Sequence, residues 1–150
     1  MWTRIAAGAP WREVLLLAAG NMVYNQKVGR YLLDALEQIL PRRQPNPGDT
    51  PGWQRVWRAG EMLAIVGVTA AETDEVGREI LPLTRQYLAT LLSQGELSPP
   101  ERAEAGQALA VLNDPRAGVG LKDDLPDIRW CLVAGGEFMM GEILLVQVLI

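Results

Sequence analysis

Two stretches of the chain share a sequence pattern at a fixed separation, and this constrains the fold more than any other feature. The segment AGEMLAIVG starts at Ala59 and aligns without a gap with AGQALAVLN, which starts 46 residues later at Ala105. Both combine small residues that permit close helix packing with a final residue that tolerates a left-handed backbone. A weaker third copy ends at Gly20, 47 residues before Gly67. The repeat predicts stacked pairs of helices.

Apolar residues recur at intervals of three and four along most of the chain, which is typical of amphipathic helices. Pro82 is expected to start or kink the fourth helix near Leu81, and Gly95 to close it. Ser98, with Glu101 three residues later, predicts a capping box at the start of the fifth. About five helices are predicted, over residues 10–24, 28–40, about 53–68, about 73–92 and from 98 to a stop at Asn113.

Repeats of about 40 to 47 residues are typical of helical-pair solenoids of the HEAT and armadillo type. We therefore predict a mainly α fold of HEAT-like antiparallel helical pairs over residues 1–118. From Ile128, two apolar runs rich in strand formers flank Gly135 and Gly136, which predicts a short C-terminal β-hairpin within residues 119–150. The apolar tail, residues 142–150, is either a short strand of its own or a truncated end.

The amino-acid composition argues against two classes of function. The chain has no histidine, 14 basic and 18 acidic residues, and no basic stripe interleaved with aromatic residues, so we expect neither histidine-based catalysis nor nucleic-acid binding. Cys131 is the single cysteine and cannot form an internal disulfide. The apolar run over residues 14–19 is too short to span a membrane. A cytoplasmic location is the expectation.

Three local patterns were weighed for binding chemistry. The acidic cluster of Asp123, Asp124 and Asp127 lacks the repeated oxygen donors of a calcium loop and is expected to be a solvated linker. The glycines at 118 and 120 are not followed by the lysine and hydroxyl residue of a phosphate-binding loop. We therefore predict no catalytic, cofactor-binding or metal-binding residue in this chain.

The third pattern is a pair of tryptophans one helical turn apart. Trp53 and Trp57, with Arg55 and Arg58 beside them, form a candidate partner-binding face. The alternative is that the tryptophans form a stripe in the core or between repeats.

The region before and after Asn113 resembles known families. QALAVLNDPRAGV is similar to HEAT-like repeats whose helix stops at G-D-P-R, with Asn113 in place of the usual glycine. The longer stretch from Ser98 to Gly141 resembles the junction, in bacterial multidomain proteins, that leads into a formylglycine-generating-enzyme-like (sulfatase-modifying-factor) domain. The matching positions are Pro126, Asp127, Trp130, Gly136, Glu137, Phe138, Met140 and Gly141.

This resemblance implies two functions from different classes. In the first, the chain is a non-catalytic helical scaffold of a bacterial signalling protein, which binds a protein partner and links an upstream NACHT/STAND-type NTPase to the enzyme-like domain. In the second, it is the N-terminal part of a formylglycine-generating-enzyme-like protein. The family's catalytic cysteines and metal ligands lie downstream of the G-G-E-F strand, and no position here corresponds to them. Self-association through the C-terminal strand is a further expectation.

Overall fold

The computed structural model describes residues 11–122, 125–128 and 130–132. Within these residues the chain is mainly helical, as predicted from the apolar periodicity. A π-helical turn, Asn21–Asn25, extends the first helix. The α-helices are α1 Arg12–Gly20, α2 Gly29–Ile39, α3 Thr50–Val66, α4 Val68–Thr73, α5 Glu75–Gln94 and α6 Pro99–Val111.

Side-chain caps fix where three of these helices begin. The Asp49 carboxylate accepts a hydrogen bond from the Gly52 N–H at 3.1 Å, and the Asp74 carboxylate accepts one from the Val76 N–H at 2.9 Å. At α6 the predicted capping box forms, with the Glu101 carboxylate 2.9 Å from the Ser98 nitrogen. Each cap satisfies an N–H group that has no partner within its helix.

Left-handed residues end the helices where the sequence predicts. Gly95 follows α5 with φ +71°, and Asn113 follows α6 with φ +60°. Gly67 ends α3 with φ +88°. Gly20, the last residue of the weak third copy, does not end a helix: its φ is −58° and the helical backbone continues through the π-helical turn, in agreement with the first helix predicted over residues 10–24. The weak third copy of the repeat therefore lacks the helix end of the other two.

Helix α3 lies at the centre of the packing. It contacts α1, α2, α5 and α6, while α2 and α5 also contact each other and α6 packs against α5. The helices thus lie in two rows, with α1, α3 and α6 in one and α2 and α5 in the other. The largest fully buried side chains come from both rows: Leu32, Leu36, Ile39, Trp53, Met62, Leu63, Leu88, Leu91, Leu109 and Leu112.

Two predicted helix boundaries differ from the structure. Helix α3 begins at Thr50 rather than near Trp53, because Asp49 caps it and Pro51 fits the first turn. Helix α5 runs through Pro82 without a break. Proline removes one N–H from the helical ladder, but the neighbouring Leu81 and Thr84 are buried. Tertiary packing of that face outweighs the local loss.

The described C-terminal part contains a strand pair that was not predicted. β1 (Leu121–Lys122) pairs antiparallel with β2 (Leu125–Pro126) inside the segment interpreted as a linker. The predicted hairpin around Gly135 and Gly136, and the apolar tail at 142–150, lie outside the described residues. The proposed boundary between residues 118 and 119 stays a prediction.

Candidate functional site

A cluster of charged side chains joins three helices and is the most unusual feature of the interior. Arg12 from α1, Arg58 and Glu61 from α3, and Glu104 from α6 converge there. Arg58 and Glu61 are buried, with 2% and 8% of their surface exposed. Charged side chains are seldom buried unless they are paired, so the cluster defines the candidate site.

Glu61 is shared between two arginines. The Arg12 Nη2 donates to Glu61 Oε1 at 2.5 Å and the Arg12 Nε donates to Oε2 at 3.2 Å, so the guanidinium binds both carboxylate oxygens. On the other side, Arg58 Nη1 lies 3.2 Å from Oε2. The hydrogen bond with Glu61 raises the pKa of Arg12 above its ordinary value. A bidentate arginine–carboxylate pair is among the strongest hydrogen-bonded contacts in proteins.

Arg12 also reaches the last helix. Its Nη2 atom lies 3.2 Å from Glu104 Oε2 on α6, while Nη1 lies 2.8 Å from the exposed Glu13. One guanidinium therefore ties α1 to α3 and α6 at the same time. The site connects helices that are far apart in the sequence.

The Trp57 ring lies beside both arginines. The Arg58 guanidinium carbon is 3.6 Å from the ring centroid, and that of Arg12 is 5.5 Å from it. Both distances lie within the range of cation–π attraction, which strengthens where water is excluded. The aromatic ring thus helps to hold two like charges near one carboxylate.

Two buried donors in this cluster have no acceptor among the described residues: Trp57 Nε1 and Arg58 Nε. Burial lowers the pKa of Arg58 below its ordinary value, and the charge of Glu61 partly offsets this effect. A buried unsatisfied donor costs about 1–3 kcal/mol. Burial is therefore unfavourable for the Arg58 charge, whereas the Arg12 charge is well paired.

A second polar contact joins α3 and α6 beside the cluster. Gln54 Nε2 donates to Glu101 Oε1 at 3.2 Å. Burial alone would raise the pKa of Glu101, but hydrogen bonds from Ser98 and Gln54 and the charge of Arg58 lower it below its ordinary value. Glu101 thus stays ionised while it serves the helix cap and the interface.

The two arginines of the cluster offer little acid–base chemistry. Arginine stays protonated in proteins, so neither Arg12 nor Arg58 offers a general base. Among the described residues, no three histidine, cysteine, aspartate or glutamate side chains come together as metal ligands. The charges bind each other across three helices.

The four predicted partner-binding residues do not form one exposed face. Trp53, Trp57 and Arg58 are buried in the helical core, because the α3 face that carries them packs against neighbouring helices. The two tryptophans instead lie in the core, as the alternative interpretation of their spacing predicts. Trp53 Nε1 donates to the Asn46 carbonyl at 3.0 Å. Only Arg55 reaches a surface cleft, and its Nε donates to the Ile39 carbonyl at 2.9 Å.

That cleft lies between α2 and α5 and has a volume of about 690 Å³. Its charged lining residues carry both signs, and Ile80 and Leu83 supply apolar surface. We call it the α2–α5 cleft. The charged residues are Glu37, Arg42, Arg55 and Glu79.

Arg12, Glu61 and Glu104 are not among the residues predicted from the sequence. One signal was present: Glu61 interrupts the otherwise apolar sequence AGEMLAIV of α3. An acidic residue at a position of an apolar helix face indicates a buried partner of opposite charge. Its partner Arg12 lies 49 residues away, and no local pattern points to it.

Comparison of the chain with protein-family models, curated proteins and solved structures gave no match. No helix in the described residues has both the length and the apolar character needed to cross a membrane.

Proposed function

We propose that this chain is a non-catalytic helical scaffold with HEAT-like pairing, which connects an upstream signalling NTPase to a formylglycine-generating-enzyme-like domain in a bacterial multidomain protein. Solenoids of this kind present extended surfaces to protein partners and fold through contacts between neighbouring repeats.

The equivalence of the two repeat copies carries the proposal. Gly60 on α3 and Gly106 on α6 occupy the same repeat position, and both face α5. A Cβ on Gly60 would lie 2.7 Å from Leu88, and a Cβ on Gly106 would lie 4.0 Å from Leu92, one helical turn further along α5. Both repeat glycines therefore lie next to leucines of the same helix, Gly60 in close contact and Gly106 with more space.

The helix ends and the helix order support the same interpretation. Gly67 and Asn113, the last residues of the two copies, both have positive φ. The two rows of helices are also what alternating antiparallel pairs would produce, with α2 and α5 behind α1, α3 and α6. The α2–α5 cleft then offers a protein partner charges of both signs around an apolar floor.

Hydrogen exchange after a change in the last repeat helix tests the proposal. Leu109→Ala removes a fully buried side chain of α6, which destabilises by about 2–5 kcal/mol. Because repeat proteins lose structure locally, exchange should rise in α6 and the adjoining part of α5 while α2 stays protected. The matched change Gln107→Ala, at an exposed position of the same helix, should leave exchange as in the wild type. An equal rise in every helix would refute HEAT-like pairing.

The alternative function differs in its chemistry. Ile128, Trp130 and Leu132 alternate as strand residues do, which favours a β-domain after the helices. If the helices only support an enzyme, the catalytic groups lie in that domain. Incubation of this chain with a cysteine-containing sulfatase peptide should leave the cysteine unchanged by mass spectrometry. Formation of formylglycine would refute the non-catalytic assignment.

A further inference from the structure

An open groove on α5 lies beside the turn that follows α6. Its volume is about 580 Å³, and its lining is mainly apolar. We call it the α5 groove. Its lining includes Pro82, Arg85, Ala89 and Ser93 from α5, and Pro115 and Arg116 from the turn.

The turn that walls this groove is fixed at several points. Arg85 Nε donates to the Leu112 carbonyl, which holds the end of α6 against α5. The Asp114 carboxylate accepts from the Arg116 N–H at 3.0 Å and from Arg116 Nη2 at 2.6 Å. The wall is therefore a preformed part of the helical unit.

The chain returns to this wall at Asp127. Its carboxylate accepts from the Gly118 N–H at 2.8 Å, and its own N–H donates to the Gly120 carbonyl at 2.9 Å. Gly118 is two residues beyond Arg116. The segment after Asp127 therefore starts next to the groove.

That segment carries large apolar side chains that are exposed. Ile128, Trp130 and Leu132 are all exposed, and 85% of the Trp130 surface is open to solvent. Alternate residues lie on one face of an extended chain. Such a row of large apolar side chains marks an interaction surface.

We propose that the α5 groove is the docking site for the chain's own segment that starts at Asp127, with Trp130 as the side chain that enters. Trp130 is three residues beyond its anchor, a reach of roughly 10 Å in extended chain. The groove is large enough for an indole ring, and Arg85 and Arg116 can stack on that ring. Docking would cover two apolar surfaces at once and fix the following domain on the scaffold.

The chain's only cysteine, Cys131, makes this docking measurable. Ser93→Cys places a second thiol in the groove, and Ala18→Cys places one at an exposed position of α1 as the matched control. A short bis-maleimide should join residues 93 and 131 within one molecule at least about tenfold more than residues 18 and 131, because a docked thiol has a high effective concentration. Trp130→Ala should abolish this excess.

Peptide mass spectrometry at several protein concentrations identifies the link. A yield for Ser93→Cys equal to that of Ala18→Cys would overturn the proposal, and so would a link that forms only between two molecules and disappears on dilution. Acrylamide quenching gives a second measurement that needs no added cysteine. The tryptophan emission that is present in the wild type and missing in Trp130→Phe should be quenched only weakly by acrylamide, because a docked indole is shielded from solvent. Full quenching of that part of the emission would also overturn docking.

This inference deepens the proposed scaffold role and rests on it only in assigning the segment after Asp127 to a neighbouring domain. Hydrogen exchange in α6 tests the repeat, whereas the cross-link tests the groove. The exchange experiment can contradict the repeat while the cross-link supports docking, and the reverse outcome is equally possible.

Discussion

Arg12 and Glu61 lie 49 residues apart in the sequence, yet the Arg12 guanidinium holds both carboxylate oxygens of Glu61 in the interior of the helical unit. Glu61 also accepts from the buried Arg58. One carboxylate is therefore shared by two cations, and Arg12 has Glu13 and Glu104 as further partners. The first helix is fixed to the centre of the fold by this contact.

Removal of the Glu61 charge should be strongly destabilising. In Glu61→Gln, Arg58 stays buried without its hydrogen-bonded counter-charge and keeps only the more distant charge of Glu101, and such a loss costs about 3–5 kcal/mol. Urea denaturation followed by circular dichroism measures the change in the free energy of unfolding. Exchange in α1 should rise as well, because Arg12 loses its main partner.

Glu13→Gln is the matched control for that variant. Glu13 contacts the same Arg12 at 2.8 Å, but 74% of its side chain is exposed. Exposed ion pairs contribute about 0–1 kcal/mol, so this variant should unfold almost as the wild type does. Equal losses in the two variants would contradict the view that burial makes Glu61 important.

Local signals in the sequence were sufficient for much of the helical fold. The caps at Ser98, Gly95 and Asn113 were predictable because they depend on residues within one turn of the helix end. The helix start expected at Pro82 was wrong, because α5 already begins at Glu75 and buried Leu81 and Thr84 pack on either side of the proline. A helix with a buried face can tolerate a proline that a free helix could not.

The candidate site was far less predictable. Burial of Trp57 and Arg58 depends on which helices cover α3, and that is set by contacts between distant segments. The spacing of the tryptophan pair at positions 53 and 57 allowed an exposed face as well as a core stripe, and a core stripe is the more frequent arrangement of such a pair. No local sequence pattern indicates that Arg12 pairs with Glu61.

The two core tryptophans should respond differently to the same substitution. Trp53→Phe removes one hydrogen bond to the Asn46 carbonyl, which still accepts from the Asp49 N–H at 3.1 Å, whereas Trp57→Phe removes an indole N–H that has no acceptor among the described residues. Trp53→Phe should therefore cost about 0.5–1.5 kcal/mol more, which is the usual net contribution of one hydrogen bond. Equilibrium unfolding of both variants gives the difference. A larger loss for Trp57→Phe would indicate that its N–H is satisfied in solution.

Alanine at the two repeat glycines should have opposite effects. A Cβ at Gly60 would lie 2.7 Å from Leu88 Cδ1, so Gly60→Ala forces that side chain to shift and should destabilise by about 1–3 kcal/mol. At Gly106 the nearest side-chain atom is 4.0 Å away, and the better helix propensity of alanine should stabilise by up to about 1 kcal/mol. Thermal unfolding distinguishes the two signs. Stabilisation by both substitutions would show that Leu88 moves at no cost.

The turn after α6 should lose its ion pair in acid. Burial alone would raise the pKa of Asp114, but the hydrogen bonds and charge of Arg116 lower it below its ordinary value of 3.8. A carboxyl with a lowered pKa binds its proton less readily in the folded chain, so its contribution is complete above the unfolded pKa and is lost as pH falls through the folded one. The wild type should exceed Asp114→Asn in unfolding free energy by a constant amount at neutral pH. That excess should shrink below about pH 4. Urea titrations at several pH values measure it, and an excess that grows in acid would contradict the assigned direction.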